Sequence, residues 1–175
     1  MTIALWRTAE PINWRKRRNV LTPVDLLGEA QRFAQSAASL PGMDNPCERC
    51  WRTIAANQCL EAWVVAWPVG GAIELHDHGN SAGAVVVASG SLRETSVRPG
   101  GDQGLVASSA SIGIGEHVLF GPGYVHDFVN VGPGPALSVH VYSPALHSMT
   151  YFDWSDGEEL IEVRTENYRE GLLVV

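Results

Sequence analysis

From Glu61 onward the chain is a succession of short apolar or alternating runs, each closed by glycine or proline. Candidate strands are 61–67, 73–78, 83–88, 91–97, 104–108, 117–120, 125–131, 136–142 and 149–153. Turn signals separate them at Pro68-Val69-Gly70-Gly71, Ser89-Gly90, Pro99-Gly100-Gly101, Gly121-Pro122-Gly123 and Gly132-Pro133-Gly134-Pro135. The runs are many, short and closely spaced, and helical signals lie only before them. That constraint selects a mostly β fold, a small β-barrel or jelly roll.

Helical signals are confined to the N-terminal third. Residues 1 to about 20 read as irregular. Thr22-Pro23 then opens a helix, with threonine as N-cap and proline in the first turn. Leu26, Leu27, Ala30, Phe33, Ala34 and Ala37 recur at helical spacing and predict an apolar stripe laid against a sheet. Pro41-Gly42 stops that helix, and a second short helix or turn is expected over Pro46–Asn57. The organisation read from this is one structural domain, a helical segment over 1–60 packed on a barrel over 61–175. The apolar tail Leu172-Leu173-Val174-Val175 suits a packed strand or an oligomer contact, in a monomer or homodimer.

A formal charge of −7 argues against nucleic acid or an anionic membrane as partner. The basic cluster Arg15-Lys16-Arg17-Arg18 reads as a solvated face. No N-terminal stretch has the order of a signal peptide and no apolar run is long enough to span a bilayer, so a cytoplasmic protein is expected. Three cysteines, Cys47, Cys50 and Cys59, suit a reducing compartment better than a disulfide framework. Cys47-Glu48-Arg49-Cys50 has redox-pair or half-zinc spacing, but without a second such pair or a βαβ context it reads as incidental thiols.

Chemistry concentrates in two segments. In Gly70-Gly71-Ala72-Ile73-Glu74-Leu75-His76-Asp77-His78, alternation along a strand sends His76 and His78 to one face and Asp77 to the other. The two imidazoles can then grip one metal ion. A third candidate, His126, lies in Gly123-Tyr124-Val125-His126-Asp127-Phe128-Val129-Asn130. Together these segments resemble the double motif of cupin metalloproteins, G-x5-H-x-H-x4-E-x6-G and G-x5-P-x-G-x2-H-x3-N. Gly70, His76, His78 and Gly90 are in register with the first, and Gly115, Gly123, His126 and Asn130 with the second. The acidic position of the first motif is Gly83, and Gly121 replaces the proline of the second. Three neutral imidazoles leave a divalent ion with about two net positive charges, suited to an anionic ligand such as a thiolate or enolate.

A further strand, Ser138-Val139-His140-Val141-Tyr142, alternates polar side chains with valines, so Ser138, His140 and Tyr142 share one face. On a cavity face they form a relay near the metal; on an outer face they are only solvated. His117 and His147 have no motif partner and read as structural or exposed. Trp51, Trp63 and Trp67 read as core or pocket wall, and Arg93 as either an anion contact or the salt-bridge partner of a neighbour such as Glu94.

Leu75-His76-Asp77-His78-Gly79, Gly90-Ser91-Leu92, His126-Asp127-Phe128-Val129-Asn130 and Pro135-Ala136-Leu137-Ser138-Val139-His140-Val141-Tyr142-Ser143-Pro144 look like the cysteine dioxygenase family of thiol dioxygenases. The likeness covers roughly residues 50–152. It implies a cupin fold in which His76, His78 and His126 bind Fe(II), with Ser138, His140 and Tyr142 as catalytic outer-sphere groups. It also implies a cis bond before Pro144. Eukaryotic members join a cysteine to the tyrosine through a thioether; that cysteine position is Gly83 here, so Tyr142 is expected to be uncrosslinked. The family's Y-x-R segment corresponds, across a shortened loop, to Cys50-Trp51-Arg52, making Arg52 the expected clamp for a substrate carboxylate. The function implied is oxidation of a small thiol, L-cysteine first, to its sulfinic acid with O2. Alternatives are another thiol such as 3-mercaptopropionate or a thiol-imidazole, an enol, or a non-catalytic cupin sensor of a metal or small molecule.

Overall fold

The computed structural model describes residues 20–57, 59–156, 159–169 and 172–174; the basic cluster at 15–18 and the first nineteen residues lie outside them. Among the described residues one α-helix, α1 (Pro23–Ala37), is followed by twelve strands: β1 (Cys50–Ala56), β2 (Glu61–Trp67), β3 (Ala72–His76), β4 (Ala82–Ser89), β5 (Leu92–Pro99), β6 (Leu105–Ile112), β7 (His117–Phe120), β8 (Val125–Val129), β9 (Ala136–Ser143), β10 (Ser148–Trp154), β11 (Leu160–Arg169) and β12 (Leu172–Val174), with a single 3-10 turn at Gly101–Gln103. They form two antiparallel sheets, ordered β1-β2-β9-β4-β7 and β12-β11-β10-β3-β8-β5-β6. This is the expected cupin barrel. No helix among the described residues is long and apolar enough to cross a membrane.

The five-stranded sheet is buried on both faces, which is why β2, β4 and β9 read as near-continuous apolar runs. One face carries Ala62, Val64, Ala66, Ala82, Ala84, Val86, Val139 and Val141 and packs against Leu26, Ala30 and Ala37 of α1. Small residues there let the helix lie close. The other face carries Trp63, Val65, Trp67, Val85, Val87 and Tyr142 into the barrel, where Phe128, Met149 and Tyr151 of the seven-stranded sheet meet them. α1 starts as its sequence predicts: Asp25 N donates to Thr22 Oγ1 at 3.3 Å while Thr22 N donates to Asp25 Oδ2 at 3.0 Å, a reciprocal capping box.

Two elements differ from the sequence reading. The second short helix expected over Pro46–Asn57 is instead β1, which pairs along β2 from Cys50↔Ala66 to Ala56↔Glu61. Aromatic and β-branched residues at Trp51, Thr53 and Ile54 favour that pleated edge once β2 supplies a partner. Sheet therefore begins within the stretch expected to be a helical segment. The charged β11, paired to β10 from Ser148↔Asn167 to Trp154↔Leu160, carries no clear alternation and was not expected as a strand.

A buried histidine cluster and its cavity

β3 and β8 lie side by side with His76 opposite His126. β3 ends at His76, and the chain continues extended so that His78 turns back into the same space. The three imidazoles are 3%, 2% and 0% exposed, and their ligand atoms lie within 4.8 Å of one another. Burial lowers the proton affinity of each. His126 falls to about 3, and His76 and His78 fall well below the ordinary histidine range, with neighbouring imidazoles adding to the effect. All three rings are therefore neutral at physiological pH.

Neutral rings need one donor and one acceptor site satisfied, and the cluster leaves some bare. Both nitrogens of His78 and Nε2 of His126 are buried without a hydrogen-bond partner. Two of the others, both Nδ1 atoms, are fixed from behind. His76 Nδ1 donates to the Glu74 carbonyl at 2.7 Å, and His126 Nδ1 is 2.7 Å from Glu94 Oε1. Both bonds select the tautomer whose Nε2 lone pair faces the cluster. Orphaned, neutral and converging nitrogens are what a divalent transition metal requires, so the three histidines fit that group.

Glu94 is a part of this site that sequence reasoning missed. Its carboxyl is buried, accepts a 3.2 Å hydrogen bond from Tyr124 and is pushed up to about 7 by burial. The available signal was its position two residues after buried Leu92, on the inward side of β5; Arg93 between them is exposed. Glu94→Gln is expected to lower divalent-metal affinity by about 10- to 100-fold, read by chelator competition, because it weakens the group that orients His126. An unchanged affinity would show that Glu94 has no such role.

Where the first cupin motif places an acid, Gly83 has no room for one. A Cβ built there runs into the Phe120 ring, and that ring stacks on His78 with centroids 4.4 Å apart. An aromatic face thus fills the space of the missing carboxylate or cysteine.

Ser138, His140 and Tyr142 lie on the inward face of β9, because Val139 and Val141 cover the helix side. Trp67 Nε1 donates to Ser138 Oγ at 2.8 Å, Ser138 Oγ lies 2.8 Å from His140 Nε2, and His140 Nδ1 lies 3.3 Å from Tyr142 Oη. The direction of this line follows from its first donor. Indole can only donate, so Ser138 Oγ accepts from Trp67, and the proton of this fully buried hydroxyl is satisfied when it is donated to His140 Nε2. His140 is held neutral by burial, so its proton sits on Nδ1 and points at the Tyr142 oxygen. The phenol, raised above its ordinary range by burial and by Glu61, keeps its own O–H to donate elsewhere. The His78 and Tyr142 rings are 5.3 Å apart.

His140 and Tyr142 open onto a cavity of about 200 Å³, which His76, Trp51, Trp63 and Trp67 also line. Arg52 does not line it. The expected clamp is exposed on the helix side of β1, opposite Val64, and its Nη2 donates to the Pro41 carbonyl at 3.2 Å. The cause is parity. Trp51 turns inward opposite Val65 and stacks on Trp63 at 6.0 Å, which sends Arg52 outward and Arg49 inward. Arg49, Arg164, Glu166, Tyr151 and Tyr168 complete a polar rim that the sequence reading missed; most of it belongs to β10 and β11. Ser143-Pro144 is cis, as the resemblance implies. His117 and His147 are exposed, and Cys47, Cys50 and Cys59 are free thiols.

A cupin barrel enclosing three neutral histidines beside a phenol relay defines a candidate mononuclear metalloenzyme. The model of cysteine dioxygenase type I matches residues 41–155, well over half of the chain, and the protein belongs to that family. Among solved structures it is similar to an oxalate oxidase in complex with glycolate (20% identity, TM-score 0.48, covering 58% of this chain and 53% of that one). It is also similar to KdgF from Halomonas sp. (18%, 0.48, 58% and 83%) and to TT1209 from Thermus thermophilus (23%, 0.46, 58% and 88%). The chain spans about half the length of the oxalate oxidase it matches.

Proposed function

We propose that this protein is a thiol dioxygenase that uses iron held by His76, His78 and His126 to convert a small thiol to its sulfinic acid. L-cysteine and 3-mercaptopropionate are the first substrates to test. The observation that carries this reading is the hydrogen-bonded line Trp67–Ser138–His140–Tyr142, which ends on a phenol that shares a cavity with His76 and lies ring to ring 5.3 Å from His78. A sensor has no need of such a line.

Bound iron supplies the redox chemistry that joins thiol sulfur to dioxygen. The rest falls to the chain. Trp67, Phe128 and Met149 form apolar wall of the inner cavity, whose volume of about 200 Å³ admits a small thiol. Tyr142 donates its O–H toward the reacting centre, and His140 Nδ1–H holds the phenol oxygen in place. Ser138 keeps His140 in the tautomer this requires. In the overall reaction both oxygen atoms of O2 pass to sulfur, and the thiol proton leaves to solvent.

The test is oxygen uptake and product mass for the anaerobically Fe(II)-loaded protein, offered L-cysteine, 3-mercaptopropionate, cysteamine and an imidazole thiol. A gain of two oxygen atoms on one thiol is expected. No uptake with any of them, despite bound iron, would overturn the assignment. Tyr142→Phe should lower kcat on the order of 100-fold with iron content unchanged; an unaltered kcat would remove the relay from the mechanism.

A further inference from the structure

The cavity has one wall that the relay and the histidine cluster do not use. Arg164, Glu166 and Tyr168 alternate along β11, so all three turn to the cavity, which they line with Tyr151 of β10. The stretch that matches the cysteine dioxygenase model ends at residue 155, and β11 starts beyond it. Glu166 ties this wall together. One of its oxygens accepts from Tyr168 Oη at 2.7 Å and from Tyr151 Oη at 3.2 Å, and the other accepts from Arg164 Nε at 3.2 Å. Arg164 also bonds Glu74 at 3.2 Å and lies 3.7 Å over the Tyr151 ring. The charges of the wall are thus paired with each other, and both phenol protons are spent within it. What it offers a ligand is ring surface.

Ring contacts set an order outward from the histidines. Tyr151 packs on His76 and Trp63 on Tyr142, with centroids 5.8 and 5.4 Å apart. Tyr168 and Trp51 meet Trp63 instead, at 5.6 and 6.0 Å, and Trp51 is 37% exposed. Tyr168 therefore stands one ring farther out than Tyr142. It is buried and held at three points: its ring on Trp63, its hydroxyl on Glu166, and its backbone N–H on the His147 carbonyl at 2.8 Å. A ring fixed in this way does not yield to a longer ligand without breaking those contacts.

We propose that Tyr168, held by Glu166, is the end wall of the thiol site and limits how long a chain the substrate can carry beyond its sulfur. The inference rests on the thiol dioxygenase reading, which places sulfur at the histidine end. The remaining atoms of the substrate then run outward past Trp63 and stop at the Tyr168 ring. Selection here is by length, and the means is a packed ring that excludes extra methylenes.

The experiment is anaerobic binding of an uncharged series, 2-mercaptoethanol, 3-mercaptopropanol, 4-mercaptobutanol and 6-mercaptohexanol, to Fe(II)-loaded protein. Tryptophan fluorescence follows it for wild type, Tyr168→Phe, Tyr168→Ala and Ile161→Ala. Wild type should bind 6-mercaptohexanol on the order of 10-fold more weakly than 3-mercaptopropanol, against the ordinary gain from each buried methylene. Tyr168→Ala should remove most of that difference and change 2-mercaptoethanol binding by less than about threefold. Tyr168→Phe keeps the ring but loses its bond to Glu166, so its profile should fall between the two. Ile161 is exposed on the other face of β11, and Ile161→Ala should match wild type. Equal binding along the series by wild type would overturn the proposal and show that longer chains leave by the mouth beside Trp51. That result counts even where Tyr168→Ala fails to fold. A folded Tyr168→Ala with the wild-type profile would overturn it as well. On later aeration, length-selective binding without oxygen uptake would sink the dioxygenase reading and leave the end wall standing. Sulfinate formed at equal rates along the whole series would do the reverse.

Discussion

His126→Ala should yield folded protein that no longer retains stoichiometric iron after dialysis. The imidazole is fully buried, its Nε2 has no partner, and its Nδ1 is tied to Glu94 at 2.7 Å, so its lone pair is aimed and its rotamer fixed. Alanine removes one of three ligand nitrogens and leaves Glu94 facing a void. With His76 and His78 alone the site has no third protein ligand to fall back on, because Gly83 contributes nothing and Phe120 occupies its space. Iron analysis of dialysed protein is the check, with circular dichroism reporting the fold. Stoichiometric iron in the variant would show that His126 is not a ligand, and would point to a site built differently from the one proposed.

The metal-free protein should be acid-labile, with a steep loss of stability below about pH 6. His76, His78, His126 and His140 are buried, and burial is the first cause of the lowered proton affinity in each. In the folded chain they stay neutral; in the unfolded chain they take up protons below the ordinary histidine value. The unfolded state then binds more protons, so stability is whole above that value and falls as pH drops toward the folded one. For His126 the window extends down to about 3. Each such group contributes up to about 1.4 kcal/mol per pH unit within its window. Glu94 works in the opposite sense, since its carboxyl titrates near 7 when folded and so takes up its proton first in the native state. Four groups against one leave stability falling as the pH drops below about 6, the ordinary histidine range. Urea midpoints of chelated protein from pH 8 to 5 measure it, and a flat profile would contradict the buried neutral assignment.

What could be read from the sequence divides along physical lines. Strands buried on both faces announce themselves: the expected 136–142 and 83–88 match β9 and β4 within two residues at each end. Period-two spacing also foretold that Ser138, His140 and Tyr142 share a face, though not which face. The valines between them meet α1, and only the packed helix decides that question. Parity in β1 was not legible, since Trp51 and Arg52 can each claim the inward position until Trp63 stacks with one of them. Glu94 and the β11 rim stayed hidden for another reason. A charged side chain on a strand reads as solvated, and its burial depends on a partner far along the chain, thirty-two residues away for Glu94 and His126.

The contact between Gly83 and the Phe120 ring also bears on how this site can change. Restoring an acid at position 83 alone would force the ring off His78 and disrupt the cluster before any new ligand could form. Shrinking Phe120 alone would open a hole beside a buried imidazole. Either step by itself is expected to be harmful, and only the pair makes room for a carboxylate. The two positions therefore behave as an epistatic lock. A lineage at the all-histidine centre can add a carboxylate to its three histidines only by crossing a fitness valley, and a designer must change both residues together.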